Sequence, residues 1–238
     1  GLSPDALIER HPRLVVGRLS GWGARGALAP RAGHDINYLA IAGVLEAVGK
    51  RDEPLPPLNL VADFGGGAMH LLVGVLARLV RRGITGRGGV VETSILAGTV
   101  GLTGMFYGLI ADGLWSLARE ANLLDGGAPF YRTYRCADGR FVAVGALEPK
   151  FYRELLEVTG LAGELDAAAQ YRREQWPDAA ERFARRFAER TRDDWAQRGS
   201  TDMHQRATEE AVRILEQHQP PALPDDVAAE LASIVAAT

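Results

Sequence analysis

The sequence predicts an α/β chain in two parts with a helical tail, and three observations carry that reading. Apolar, strand-like runs at Leu14-Val15-Val16 and Gly88 to Thr93 enclose a long stretch of helical periodicity. Two short runs, Tyr131 to Tyr134 and Phe141 to Val144, bracket Ala137-Asp138-Gly139 as a hairpin. The chain of 238 residues is 47% hydrophobic and 24% charged, enough for a core and incompatible with a disordered, collagen-like or disulfide-stapled chain.

Taken in order, Ser3-Pro4 starts a short helix that runs to about Arg10, and the strand at Leu14 to Val16 follows. Gly21 to Gly33 reads as a glycine-rich loop. Asn37 to Val48 is predicted helical, with Gly49 just past its end, where a left-handed residue closes many helices. Lys50 to Pro57 is a charged, proline-rich connection. Gly65 to Arg82 places Leu72, Val75, Leu76, Leu79 and Val80 at helical spacing and ends in a basic turn before Gly83. After the strand from Gly88, a helix striped with Gly98, Gly101, Gly104 and Gly108 is expected to about Leu114. A second segment opens near Gly126 with the hairpin, and Pro149 starts a helix to Val158. Thr191-x-x-Asp194 is the pattern of a capping box. From Thr201 two polar amphipathic helices are expected on either side of Gln219-Pro220-Pro221.

The net charge of -3 gives no basic excess for nucleic acid or an anionic membrane. Cys136 is the single cysteine and cannot form an internal disulfide, so a reducing, cytoplasmic setting is expected. Gly1 to Arg13 is polar, which predicts no signal peptide. Thr93 to Ile110 is uncharged throughout, with a length at the lower edge of a membrane span. Its glycines make a helix buried against other helices the better reading.

Four motifs invite chemistry. Gly21-Trp22-Gly23-Ala24-Arg25-Gly26 has the G-x-G-x-x-G pattern after a strand. The residues behind it hold Pro30 and no helical period, so no helix N-terminus waits for a pyrophosphate, and a loop beside a ligand is preferred. His11, His70, His204 and His218 have no partner spacing, and no metal-binding pattern occurs. His34 differs, because it directly precedes a helix whose first N–H groups are free to meet an anion or an enolate oxygen. Asp63 stands before Gly65-Gly66-Gly67; it reads either as a helix cap or as the carboxylate of an active-site loop that a ligand approaches closely. Glu148, between strand and helix, is either a favourable charge at a helix start or a site residue.

At these motifs the chain closely resembles the α-methylacyl-CoA racemase branch of the family III CoA-transferase (CaiB/BaiF) superfamily. The matching strings are Ala32-Gly-His-Asp-Ile-Asn-Tyr38, Pro57-Leu-Asn-Leu-Val-Ala-Asp-Phe-Gly-Gly-Gly67, Thr85-Gly-Arg-Gly88, Asn122-Leu-Leu-Asp-Gly-Gly-Ala-Pro129 and Val144-Gly-Ala-Leu-Glu-Pro149. The resemblance covers about Gly1 to Trp195. It implies a CaiB/BaiF-type fold fragment, shortened at both ends, with a Rossmann-like large-domain part over 1–124 that holds the acyl-CoA site. A small α+β domain is implied over 125–200, leaving 201–238 as a helical tail of uncertain origin. By the same resemblance, His34 is the base and Asp63 the acid on the opposite face of the substrate α-carbon. Glu148 is a glutamate near the histidine, and Gly33, Asp35, Ile36, Asn37 and Tyr38 line the substrate. The implied reaction is epimerisation of 2-methylacyl-CoA thioesters through an enolate, with coenzyme A as part of the substrate and no further cofactor or metal. Two alternatives stay open: a CoA transferase with Asp63 as nucleophile, and a non-catalytic remnant that serves assembly. The expected partners are an acyl-CoA thioester and either a second copy or a separately encoded N-terminal segment, with no nucleic acid and no membrane.

Overall fold

Two parallel strands organise the first region of the computed structural model, which describes residues 3–198. β1 (Val15–Ser20) lies beside β4 (Gly89–Ser94), in register from Val15 opposite Gly89 to Ser20 opposite Ser94. A parallel pair needs a crossover. Here its return leg is α4 (His70–Thr85), which packs on both strands. The C-terminal ends of both strands therefore open on one edge, where ligands of α/β sheets gather. The 21–33 loop leaves β1 there, and α5 (Ile95–Leu102) starts there with the Ser94 hydroxyl accepting from Ala97 N at 3.1 Å. α1 (Pro4–Arg10) precedes β1, capped by Ser3 as its Ser-Pro start predicts.

Three expected helices differ in detail. The stretch 37–48 is two pieces, α2 (Asp35–Ile41) and α3 (Val44–Ala47), because Gly43 takes a left-handed turn (φ 76°) between them. Gly49 is not a helix end but opens a two-residue antiparallel ladder, β2 (Gly49–Lys50) with β3 (Glu53–Pro54). The glycine-striped segment divides at Thr103 into α5 and α6 (Gly104–Ala111). The third difference bears on chemistry. Before α4 the chain runs through a 3₁₀ turn, Leu58–Leu60, and then a π-helix, Val61–Met69, so Asp63 sits inside a helix and does not cap one. Long π-helical runs are rare, and π-helical turns are frequent at functional sites.

The glycines explain why this segment packs as it does. A Cβ at Gly66 would lie 2.5 Å from Thr99 Oγ1, and one at Gly98 would fall on the carbonyl of Gly66. The π-helix and α5 thus meet backbone to backbone, a contact only glycine allows. The run 58–85 is long and apolar enough by composition to cross a membrane, a property expected instead of 93–110. It carries Asp63 and three arginines and packs one side against β1, β4 and α5, while the apolar side chains of its α4 part stay largely exposed.

The second region is built on aromatic rings. β5 (Tyr131–Arg135) and β6 (Phe141–Gly145) form the expected hairpin, and α7 (Pro149–Thr159) follows. α8 (Trp176–Phe187) has no counterpart among the expected elements. Its Trp176, Ala179, Phe183 and Phe187 are buried at spacings of three and four, the ordinary signature of a helix face. A further helical stretch at 192–198 is capped by Thr191, whose Oγ1 accepts from Asp194 N at 3.2 Å while Asp194 Oδ2 accepts from Thr191 N at 3.3 Å. The tail expected over 201–238 lies outside the described residues.

Between the regions, residues 112–127 form a tightly bonded connection. Buried Asn122 donates to the carbonyls of Ser116 and Ala118, and Asp125 accepts from the N–H groups of Ala121, Asn122 and Gly127. Arg119 donates to the carbonyls of Lys50, Glu46 and Arg51 at 2.7, 3.0 and 3.1 Å, which holds the β2–β3 loop against this connection.

Candidate active site

The site follows from how α2 meets the π-helix. His34 occupies the N-cap of α2 with extended backbone, and its N–H donates to Asn37 Oδ1 at 3.0 Å. Its ring is exposed at the surface. The next residue turns inward: Asp35 is buried, and its Oδ2 accepts from Ala62 N at 3.1 Å and from Asp63 N at 2.8 Å. One carboxylate thereby fixes the start of the π-helix to the start of α2, and with it the position of Asp63 relative to His34. Charge-assisted bonds of this kind are the stronger class.

Asp63 is half-buried. Its carboxyl is pushed above the ordinary value by burial first and then by the facing Asp35 carboxylate, while His34 pulls it the other way. Tyr38, one turn along α2 and almost fully buried, has its hydroxyl pushed up by burial and by the charge of Asp63. His34, Asp35, Tyr38 and Asp63 are thus one electrostatic group drawn from two segments well separated along the chain.

The other expected residues divide. Gly33 lies against the Trp22 ring and the Tyr38 hydroxyl, where a Cβ would come within 2.6 Å and 2.9 Å of them. Ile36 and Asn37 are exposed on the outer face of the first turn of α2. Glu148 is not part of this group. It is the N-cap of α7, exposed and without a side-chain cap bond, and it lines a cavity of about 650 Å³ formed by β6, α7, Phe187 and Trp195. No hydrogen bond or ion pair joins it to His34 or Asp63 among the described residues.

Two residues near the group are absent from the expected site. Trp22 meets Tyr38 edge-to-face with ring centroids 4.6 Å apart, so the glycine-rich loop acts as a wall for α2. An aromatic residue between glycines directly after a strand is the signal that the sequence offers for it. His70 places Nδ1 3.2 Å from the carbonyl of Gly65 and ties the far end of the π-helix. No pattern in the sequence pairs those two positions.

Comparison with known proteins places this geometry. The profile of CoA-transferase family III matches residues 1–222. The chain belongs to that family. Mouse α-methylacyl-CoA racemase is 46% identical over 197 residues, which are 82% of this chain and 51% of the mouse protein. Among solved structures, Rv3272 from Mycobacterium tuberculosis superposes with a TM-score of 0.65 at 25% identity, over 85% of this chain and 53% of the other. A CaiB/BaiF family protein from Brucella suis, 18% identical, shares the fold with a TM-score of 0.59 over 97% of this chain and 58% of its own. The chain spans about half the length of the curated relative and of Rv3272, and the family III α/β fold is the one expected from its motifs.

Proposed function

We propose that this family III chain carries the proton-transfer half of an α-methylacyl-CoA racemase, epimerising 2-methylacyl-CoA thioesters through an enolate. The single observation that carries this is the Asp35 carboxylate, which locks a surface histidine and a half-buried, raised-pKa aspartate into one group. The identity to the mouse racemase supports the substrate class.

The chemistry follows from the parts. A proton α to a thioester is weakly acidic, so its removal needs a base on one face and stabilisation of the enolate oxygen. His34, exposed at the N-cap of α2, takes the proton. The first N–H groups of α2, at Asp35 and Ile36, have no helix partner by position and point at developing negative charge. Asp63, held above the ordinary carboxylate range, returns a proton from the other face. Exchanging the roles of His34 and Asp63 runs the reaction on the opposite enantiomer. Coenzyme A enters as part of the substrate, and Gly33 to Tyr38 lie against the acyl end.

Glu148 stands in the second region, away from His34 and Asp63. Its expected place near the histidine is met in a homodimer, or with a separately encoded segment of the family fold, in which the second region of one chain faces the first region of another. A cytoplasmic location is part of this reading, which the unpaired thiol of Cys136 supports.

The test is isotope exchange. Incubation with a 2-methylacyl-CoA in D₂O is expected to wash deuterium into the α-position. Transfer of CoA to a free acid without α-exchange would make Asp63 a nucleophile and the protein a transferase. Neither activity in a folded sample would leave the chain as an assembly module.

A further inference from the structure

A second concentration of charge lies away from His34, at the seam between the two regions. A cavity of about 590 Å³ is bounded by Arg51, Glu120 and Arg173, by Arg132 and Arg135 of β5, and by Glu181 of α8. Its volume falls within the range of about 300–1,000 Å³ that small-molecule sites occupy. The four arginines exceed the two carboxylates by two charges in a chain whose net charge is -3, so the cavity inverts the sign of the whole molecule.

The carboxylates do not use up the donors. Glu120 sits at positive φ (50°), accepting from Lys50 Nζ at 3.0 Å and Arg51 N at 3.1 Å. Burial raises its pKa, but those bonds and the charges of Lys50 and Arg132 prevail and hold it below the ordinary range. Arg132 reaches it only at 3.7 Å, and its Nε is buried with no acceptor. Such a donor is costly to leave unmade. Arg173 gives one N–H to the carbonyl of Leu114 at 2.8 Å and keeps the rest of its fork. No hydrogen bond or ion pair holds the guanidinium of Arg51 or Arg135 among the described residues.

Several arginine forks with few acceptors suit an anion with many oxygens. A carboxylate offers two oxygens and one charge; a phosphate offers three and up to two charges, matched bidentately by guanidinium. We propose that this cavity binds a multiply charged phosphate ester. None of its residues belongs to the His34–Asp63 group, so the site stands independently of the racemase reading.

Calorimetric titration with inorganic pyrophosphate at low salt tests it. The expected result is saturable binding, one per chain, that weakens as salt rises. Arg51→Gln and Arg132→Gln are each expected to weaken it about tenfold or more. The Arg51 guanidinium makes no bond among the described residues, so Arg51→Gln is expected to melt as the parent does without ligand, which separates lost binding from lost folding. A second titration with a CoA thioester present identifies the source. Displacement means that the phosphates are those of the CoA nucleotide, simultaneous binding means a separate phosphorylated ligand, and either outcome supports the site. Absence of saturable binding in the parent, or unchanged affinity in both variants, overturns the proposal.

Discussion

Residues 126–198 bury seven aromatic rings in one cluster, from Phe130 to Trp195, whereas the cluster around the candidate site buries one, Tyr38. The rings of the second region touch in series: Phe130 meets Tyr152 and Trp176, and Phe187 meets both Tyr134 and Trp195. The first region instead holds itself together by backbone proximity, through Gly66 against Gly98 and the carboxylate of Asp35 on two N–H groups. Its α4 buries no residue at all among those described, and Ile84 is 83% exposed. Large apolar contacts give stability that tolerates small shifts; close backbone contacts and buried carboxylates give placement that does not. The candidate site sits in the region that is positioned more than it is stabilised.

That contrast can be attacked from either side. The largest loss is expected from Phe183→Ala, which empties the centre of the second cluster. Fully buried Phe→Ala changes cost about 3–5 kcal/mol, and urea unfolding followed by the near-ultraviolet signal of the rings reads it. Retention of the parent midpoint would show that the aromatic cluster is not what stabilises this region.

Next comes Asp35→Ala, which strips two N–H groups of their acceptor, one of them on buried Ala62. A loss of about 2–3 kcal/mol is expected, together with loss of protection from hydrogen exchange at residues 61–69. Asp35→Asn keeps an acceptor oxygen and is expected to lose less. Gly98→Ala drives a methyl onto the Gly66 carbonyl and is expected to cost about 1–3 kcal/mol, in the range of core overpacking, read by thermal melting. An unchanged melting temperature there would show that the π-helix and α5 are not packed backbone to backbone.

The smallest effect has the opposite sign. Asp63 has its pKa raised in the fold, so the folded protein holds that proton more firmly than the unfolded chain. The stability tied to this group is therefore complete at pH below the unfolded value, about 3.9, and is lost as pH rises through the folded value. Asp63→Asn is accordingly expected to melt slightly higher than the parent at pH 7 and equally at pH 3.5. A lower melting temperature at pH 7 would mean that the charged carboxylate stabilises the fold and that burial does not set its pKa.

The same contrast explains what is legible in the sequence. The hairpin, α7 and the Thr191–Asp194 cap follow local rules of turn chemistry, proline placement and capping, and each stands where the sequence puts it. α8 is legible too, in the spacing of Trp176, Ala179, Phe183 and Phe187, although it is missing from the expected elements. The π-helix is not: its close packing on α5 at Gly66 is a contact remote in sequence, so Asp63 reads as a cap or a loop carboxylate and not as a residue inside a helix. His34 is visible as a polar residue before a helix, but the link through Asp35 joins two distant segments and leaves no local trace. The place of Glu148 near the histidine comes from family resemblance alone, and a single chain does not bring the two together.

In the proposed function, His34 and Asp63 move the α-proton and the fold stays intact without them. The rate of α-deuterium incorporation into 2-methylacyl-CoA decides this, measured for the parent, His34→Ala and Asp63→Asn with the melting temperature of each in the same buffer. Each substitution is expected to slow incorporation by about 10²-fold or more, as for loss of a positioned acid or base, with the melting temperature of His34→Ala unchanged and that of Asp63→Asn not lowered. Incorporation at the parent rate in either variant would contradict the assignment.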